Sequence, residues 1–156
     1  MRSLSWFEPG VGASREEVDA LERAIGFKLP HDFAEFVTRH AGSSNPDECE
    51  FDVVESNGNK RQGNFGLLMS LSGADSESVL SALSDLRDQI PVGLVPVIDT
   101  GSGDFVCLDF RSGAETSVVY FFHEKSGGTA IVPLAQTFTD FLDGLRTPTD
   151  SGDSVR

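Results

Sequence analysis

Asp99-Thr-Gly-Ser-Gly-Asp-Phe-Val-Cys-Leu-Asp-Phe110 and, after a short loop, Val118-Val-Tyr-Phe-Phe-His-Glu124 decide the fold. Aromatic and β-branched residues crowd both stretches, as a pleated and buried surface requires, and glycine-rich turns bound them. They read as a hairpin inside a sheet. Pairing Phe110 with Ser117 across the loop 111–116 sets an antiparallel register in which Asp104 arrives beside His123. Leu94-Val-Pro-Val-Ile98 reads as a third strand entering the same corner, and the loop 99–103 brings Asp99 close to Asp104. Carboxylates and an imidazole therefore gather at one edge of the sheet.

Upstream of this hairpin, Ser14-Arg-Glu-Glu17 has the S-x-x-E pattern of a capping box, in which two side chains satisfy the first free amides of a helix. Val18, Leu21 and Ile25 follow at helical spacing, and Gly26 supplies a left-handed closing residue. In Leu29-Pro30-His31-Asp32 the proline suits the first turn of a second helix, with Phe33, Phe36 and Val37 as its buried stripe and Ala41-Gly42 as its end. His31 and His40 lie near the two ends of that helix and read as caps. Asp75 or Ser76 caps a third helix carrying Val79, Leu80, Leu83 and Leu86, and Pro91 stops it. Thr137 starts a fourth, with Phe138, Phe141, Leu142 and Leu145 on one face. Weaker strand signals lie at Phe51 with Val53-Val54, which read as an outer strand followed by the turn pair Asn57-Gly58, and at 65–68 and 130–134. The opening around Trp6 reads as irregular. Residues 147–156 have nothing to bury and read as a flexible tail.

A chain of 156 residues with 38% hydrophobic residues and twelve Phe fills one core, so one domain over residues 1–146 is the economical reading. No apolar run approaches the roughly 18 residues of a spanning helix, and the first residues lack the apolar stretch of a signal peptide, so the expected location is the cytoplasm. Two cysteines at no zinc spacing, Cys49 and Cys107, read as free thiols. The formal charge of −13 disfavours nucleic acid and anionic lipid, whose phosphates need clustered Lys and Arg. It suits a basic protein partner, although an acidic surface also keeps a protein in solution without any partner. The densest negative run is Asp47, Glu48, Glu50, Asp52 and Glu55, with no basic residue until Lys60. Two readings fit it: an edge strand guarded by charge, or a docking loop for a basic partner.

Distance prunes the chemistry before any pKa argument. Asp104 and Asp109 stand about 16 Å apart along a strand, too far to share a proton, water or metal. Asp109 instead faces the Arg111 turn. Asp99, Asp104, His123 and Glu124 remain as a group able to converge on a divalent cation, but their spacing matches no calcium loop. The glycine-rich loop carries no Lys or Arg and leads into a strand, unlike a phosphate cradle. No G-x-S-x-G elbow is present, and neither cysteine has an activating neighbour. The corner reads as a tight Asp-Gly turn with His123 at a strand end, so no catalytic residue, cofactor or metal is expected.

Leu21-Glu22, Leu29-Pro30-x-Asp32-Phe33, Gly103-Asp104-Phe105-Val106-Cys107-Leu108-Asp109, Tyr120-Phe-Phe-His123-Glu124 and Thr137-Phe138-x-x-Phe141-Leu142 occur in this order and spacing. Together they resemble the SUKH superfamily, which includes bacterial toxin-immunity proteins and the yeast cell-wall-synthesis regulator of the SMI/KNR type. The resemblance implies a single α+β domain with a mostly antiparallel sheet, helices packed against it, and a surface that binds other proteins. Counting the segments above gives about five or six strands and about four helices. The implied activity is non-catalytic. Charge and resemblance together point to an immunity protein that masks a basic, toxic domain, with its contact surface expected at Asp99, Asp104, Glu124, Asp47, Glu48, Glu50 and Asp52. A regulatory scaffold of a cell-envelope or signalling pathway is the alternative, and a metal-dependent enzyme at the Asp99/Asp104/His123 corner the third.

Overall fold

The capping box forms as the sequence dictates. In a computed structural model, which describes residues 1–113 and 115–148, the Ser14 hydroxyl accepts the Glu17 N–H at 3.1 Å and the Glu17 carboxylate accepts the Ser14 N–H at 3.0 Å. Helix α1 (Arg15–Ile25) follows and closes on Gly26, whose φ of 81° lies in the left-handed region. Val18 and Leu21 are buried.

Helix α2 (His31–His40) begins on Pro30, which offers no side-chain cap, so the expected cap at His31 does not form; its imidazole instead lies 3.4 Å from Glu35. The carboxylate that matters here is Asp32. Its Oδ1 accepts the Phe33 N–H at 2.8 Å, and its Oδ2 accepts both the N–H and the hydroxyl of Thr139, at 2.9 and 2.8 Å. Thr139 belongs to α4 (Phe138–Asp143), so one anion serves the free amides of two helix starts. His40 does not cap either. Its ring packs 4.8 Å from Phe36 and 5.6 Å from Trp6, and burial, with Arg39 beside it, holds its pKa below the ordinary value.

Helix α3 (Val79–Leu86) starts later than Asp75 or Ser76. Asp75 spends its carboxylate on the Glu77 N–H in a local turn, and the buried Ser78 hydroxyl caps the helix by accepting the Ser81 N–H at 3.1 Å.

Strands β1 (Trp6–Glu8), β2 (Ser44–Pro46), β5 (Leu67–Leu68), β6 (Leu94–Asp99), β7 (Phe105–Asp109), β8 (Ser117–Phe121) and β9 (Ile131–Ala135) form one sheet in the order β1-β2-β5-β6-β7-β8-β9, every neighbour antiparallel. The seven strands exceed the expected five or six because two three-residue strands, too short to show a period, lie in the opening and in the polar stretch after α2. Strands β3 (Glu50–Val54) and β4 (Lys60–Asn64) make a separate hairpin instead of an outer strand of that sheet. Phe51 fastens the hairpin to the core, 5.1 Å from Phe141 and 6.1 Å from Tyr120 between ring centroids.

The β7–β8 register differs from the expected one by a single residue. Asp109, not Phe110, stands opposite Ser117, because Phe110 leaves the strand to stack on Phe27 at 4.8 Å. Phe33, Phe36, Phe138 and Leu142 from the helices join Val95, Val106, Leu108, Val118 and Tyr120 from the sheet in the main core, while Leu86 and Ile90 join Leu94, Cys107, Val119 and Phe121 in a second one. Both cysteines are free thiols. The expected tail lies, from residue 149 onward, outside the described residues.

Asp32→Ala removes both bonds to Thr139 and leaves the α4 amide without its acceptor. Equilibrium urea unfolding is expected to show a loss of about 1–3 kcal/mol, with Thr139→Val non-additive to it; additive losses would mean the two side chains act separately.

Candidate functional site

Strand β6 ends at Asp99 and β7 begins after Asp104, and the loop between them turns on two left-handed glycines, Gly101 at φ 89° and Gly103 at φ 97°. Asp99 Oδ1 accepts the Gly101 N–H at 2.8 Å, and Thr100 closes the loop by donating its hydroxyl to the Asp104 carbonyl at 2.8 Å. At Gly103 a side chain would collide with the His123 ring, 2.8 Å from where a Cβ would stand. The imidazole therefore rests directly on the glycine.

Asp104 is only 4% exposed, and its carboxylate is the hub of the corner. Oδ2 accepts the Tyr120 hydroxyl at 3.0 Å; Oδ1 accepts the His123 N–H at 2.9 Å and lies 2.6 Å from His123 Nδ1. A buried carboxylate needs several donors to offset the loss of water, and these three groups supply them. Burial first, then the charge of Asp104 and its bond, push the Tyr120 hydroxyl up to about 12. His123 keeps its other nitrogen toward solvent, 3.8 Å from Glu124, whose side chain is 84% exposed.

Beside His123, the buried Phe122 ring carries two cations: the Arg61 guanidinium at 5.1 Å and the Lys125 ammonium at 5.3 Å from its centroid. Glu55 joins them, 3.3 Å from Arg61 and 3.4 Å from Lys125. The β3–β4 hairpin is thus tied to the corner through its own charged residues.

The antiparallel registers set Asp47 after β2, Asp99 at the end of β6, Asp104 before β7, and Glu124 after β8 at the same end of the sheet. Of these, Asp47 and Glu124 are exposed and Asp99 is half-buried, while Asp104 faces inward. The remaining acidic candidates are engaged nearby. Glu48 meets Arg2 at 2.6 Å; Asp52 meets Arg146 at 2.8 Å and Lys60 at 3.9 Å; Glu50 is half-buried and its backbone pairs with Arg146. Asp109 sits at the other end of the strand, gripped by Arg111 at 2.9 and 3.0 Å, and that guanidinium holds its pKa below the usual carboxylate range.

Chemically, a carboxylate that orients an imidazole is half of a general-base arrangement. No group of three or more His, Cys, Asp or Glu among the described residues is arranged to hold a metal ion. Both thiols are pushed above their ordinary pKa, Cys107 by complete burial and Cys49 by burial and the nearby Glu50, which lowers their nucleophilicity. No helix among the described residues is long and apolar enough to cross a membrane.

Sequence reasoning found Asp104 and His123 and missed Tyr120, Arg61 and Lys125. A signal for the first existed: a single tyrosine in the otherwise apolar run Val118-Val-Tyr-Phe-Phe122 implies a buried hydroxyl in need of an acceptor. Arg61 and Lys125 carry no such mark, since only the folding of the hairpin over Phe122 brings them together.

An antiparallel α+β domain, with Asp47, Asp99 and Glu124 at one sheet end beside a hydrogen-bonded Asp104–His123–Tyr120 cluster, defines the class. The profile of the SMI1 / KNR4 family (SUKH-1) matches residues 12–144, and the chain belongs to that family. It is also similar to the SPbeta prophage-derived uncharacterized protein YokK of Bacillus subtilis (strain 168), 26% identical over 145 residues that cover 85% of this chain and 74% of that protein.

Tyr120 is the only tyrosine, so ultraviolet titration reads it alone. Its ionisation is expected near 12, and in Asp104→Asn it should fall only part of the way toward ~10, since burial remains. The raised value contributes stability that is complete below the unfolded value of about 10 and is lost as pH climbs through the folded one. An ordinary tyrosine titration in the folded protein would contradict the cluster.

Proposed function

We propose that this chain is a non-catalytic binding protein, an immunity protein that masks a basic toxin domain in a bacterium. The observation that carries the reading is the alignment of Asp47, Asp99 and Glu124 along one sheet end in a chain of charge −13. Such a field steers a basic partner and speeds encounter, by factors of about 10 to 1,000 at low salt. Asp47, Asp99 and Glu124 make the contact. Asp104 acts from inside, holding the His123 segment and the loop 99–103 in the presenting geometry. Glu48, Glu50 and Asp52 flank the surface and extend its negative field, while their cationic neighbours reduce what each contributes. The prophage origin in the name of the B. subtilis relative is in keeping with a gene kept for conflict.

The experiment is a pull-down from the native host with the tagged chain, at low and then high salt. One basic, stoichiometric partner, toxic when expressed alone and harmless when co-expressed with this chain, is the expected result. Several non-toxic partners from one pathway would support a regulatory scaffold instead. With the captured partner, joint reversal of Asp47, Asp99 and Glu124 to Lys should weaken binding by at least about tenfold and flatten its salt dependence. Unchanged affinity in that variant, with folding intact by circular dichroism, would remove the assignment.

A further inference from the structure

The registers align Leu67, Asp99, Phe105, Phe121 and Ile131 as directly opposed residues from β5 to β9, and opposed residues share one face of a sheet. Ser44 and Glu8 continue the row onto β2 and β1, where the Ser44 hydroxyl donates to the Glu8 carboxylate at 3.2 Å. Phe121 is buried, but Leu67, Phe105 and Ile131 are only half-buried, and Leu67 packs against neither core cluster among the described residues. Helix α3 and the residues after it cover this face nearer its other end, where Leu86 and Ile90 meet Leu94, Cys107 and Val119. The charge along the row has one sign. Asp99 stands between Leu67 and Phe105, accepts the Gly101 N–H and has no cationic partner among the described residues. Glu8 is exposed, and Glu124 follows closely after Phe121. The chain neighbours of the row's residues add Asp104 and no Lys or Arg. Lys125, the nearest of these in sequence, is engaged by Glu55 at 3.4 Å and by the Phe122 ring.

Taking the acidic sheet end as the surface for a basic partner, on which this inference rests, we propose that the row is its apolar centre and takes a segment in which leucine-sized side chains alternate with Lys or Arg. Neighbouring strands stand about 4.8 Å apart, so apolar surface lies within one strand spacing of Asp99 on both sides. A partner cation that meets Asp99 therefore brings its neighbours down onto Leu67 and Phe105. Burying them there stabilises the complex, and excluding water strengthens the ion pair. An apolar centre rimmed by charge is the usual anatomy of a protein interface. An acidic or neutral segment fits worse, because Asp99 would then lose water without a counter-charge. So does a second copy, which would bring Glu8, Asp99 and Glu124 against another chain of charge −13.

The test uses the full chain, ¹⁵N-labelled, at neutral pH in about 0.15 M salt. It is titrated with an amidated peptide alternating Lys with Leu, and separately with Lys-Ser and Glu-Leu peptides of the same length. The Lys-Leu peptide is expected to shift the amide signals of Leu67, Asp99, Phe105 and Ile131 and to bind about tenfold more tightly than the Lys-Ser peptide. The Glu-Leu peptide should leave those signals still. Leu67→Ser and Ile131→Ser, each with folding intact by circular dichroism, should weaken the Lys-Leu peptide toward the Lys-Ser level, and Asp99→Asn should weaken both basic peptides. Equal affinity of the two basic peptides, or unchanged Lys-Leu affinity in both serine variants, would overturn the apolar row and leave the acidic end standing. Row shifts with the Glu-Leu peptide as large as with Lys-Leu would overturn it too, as would row shifts on concentrating the protein alone, which would mean self-association. If neither basic peptide moves the Asp99 or Glu124 signal at millimolar concentration, the row and the basic-partner reading fall together.

Discussion

A single buried carboxylate governs the corner on which the rest depends. Asp104 gives up water at 4% exposure and is held by the Tyr120 hydroxyl, the His123 amide and the His123 ring. Leaving one of these groups without its partner in the interior costs about 1–3 kcal/mol, more for a charged group, so the four elements that meet there are not free to shift independently. The end of β8, the start of β7, the loop 99–103 and, through Tyr120 and Phe51, the β3–β4 hairpin are fixed relative to one another. The glycine under the His123 ring belongs to the same constraint, because any side chain at Gly103 would displace the imidazole. A buried carboxylate with full hydrogen bonding is suited to shaping a surface, and the charges presented there come from its neighbours.

Charge is unevenly organised around that cluster. Asp47 and Glu124 extend from the sheet end toward solvent with Asp99 half-buried beside them, while Glu48, Asp52 and Glu55 are met by Arg2, Arg146, Lys60, Arg61 and Lys125. Surface pairs of this kind are individually weak. Their structural effect is to brace the hairpin against the sheet, and their electrostatic effect is to offset part of the negative charge beside the strand ends. The other end of β6 has a different character, with an apolar groove walled by Ile25, Phe27 and Leu83 and the Asp109–Arg111 pair beside it.

Much of this was legible in the residues, for identifiable reasons. The capping box at Ser14, the helical stripes of α1 and α2, and the aromatic strands β7 and β8 all express local rules that tertiary structure did not override. The meeting of Asp104 and His123 was legible too, although by a register one residue away from the real one; the carboxylate reaches around the strand end and tolerates the slip. What escaped were features without local periodicity. Strands β1 and β2 are three residues each, the real cap at Ser78 depended on which side chain won a local competition, the Asp32–Thr139 bridge joins residues far apart in the chain, and His40 was claimed by Trp6 and Phe36. The SUKH resemblance, carried by scattered short motifs, is matched by the family profile over residues 12–144. One of those motifs, Leu29-Pro-His-Asp-Phe33, turns out to work through Asp32 bridging to Thr139, a contact that no local reading contains.

Hydrogen–deuterium exchange of this chain with and without its captured partner tests the central claim most directly, because backbone protection maps the contact without altering any residue. Slowed exchange confined to residues 45–50, 99–104 and 122–125 is the predicted footprint. Protection that spares all three segments would contradict the account of the acidic sheet end as the binding surface.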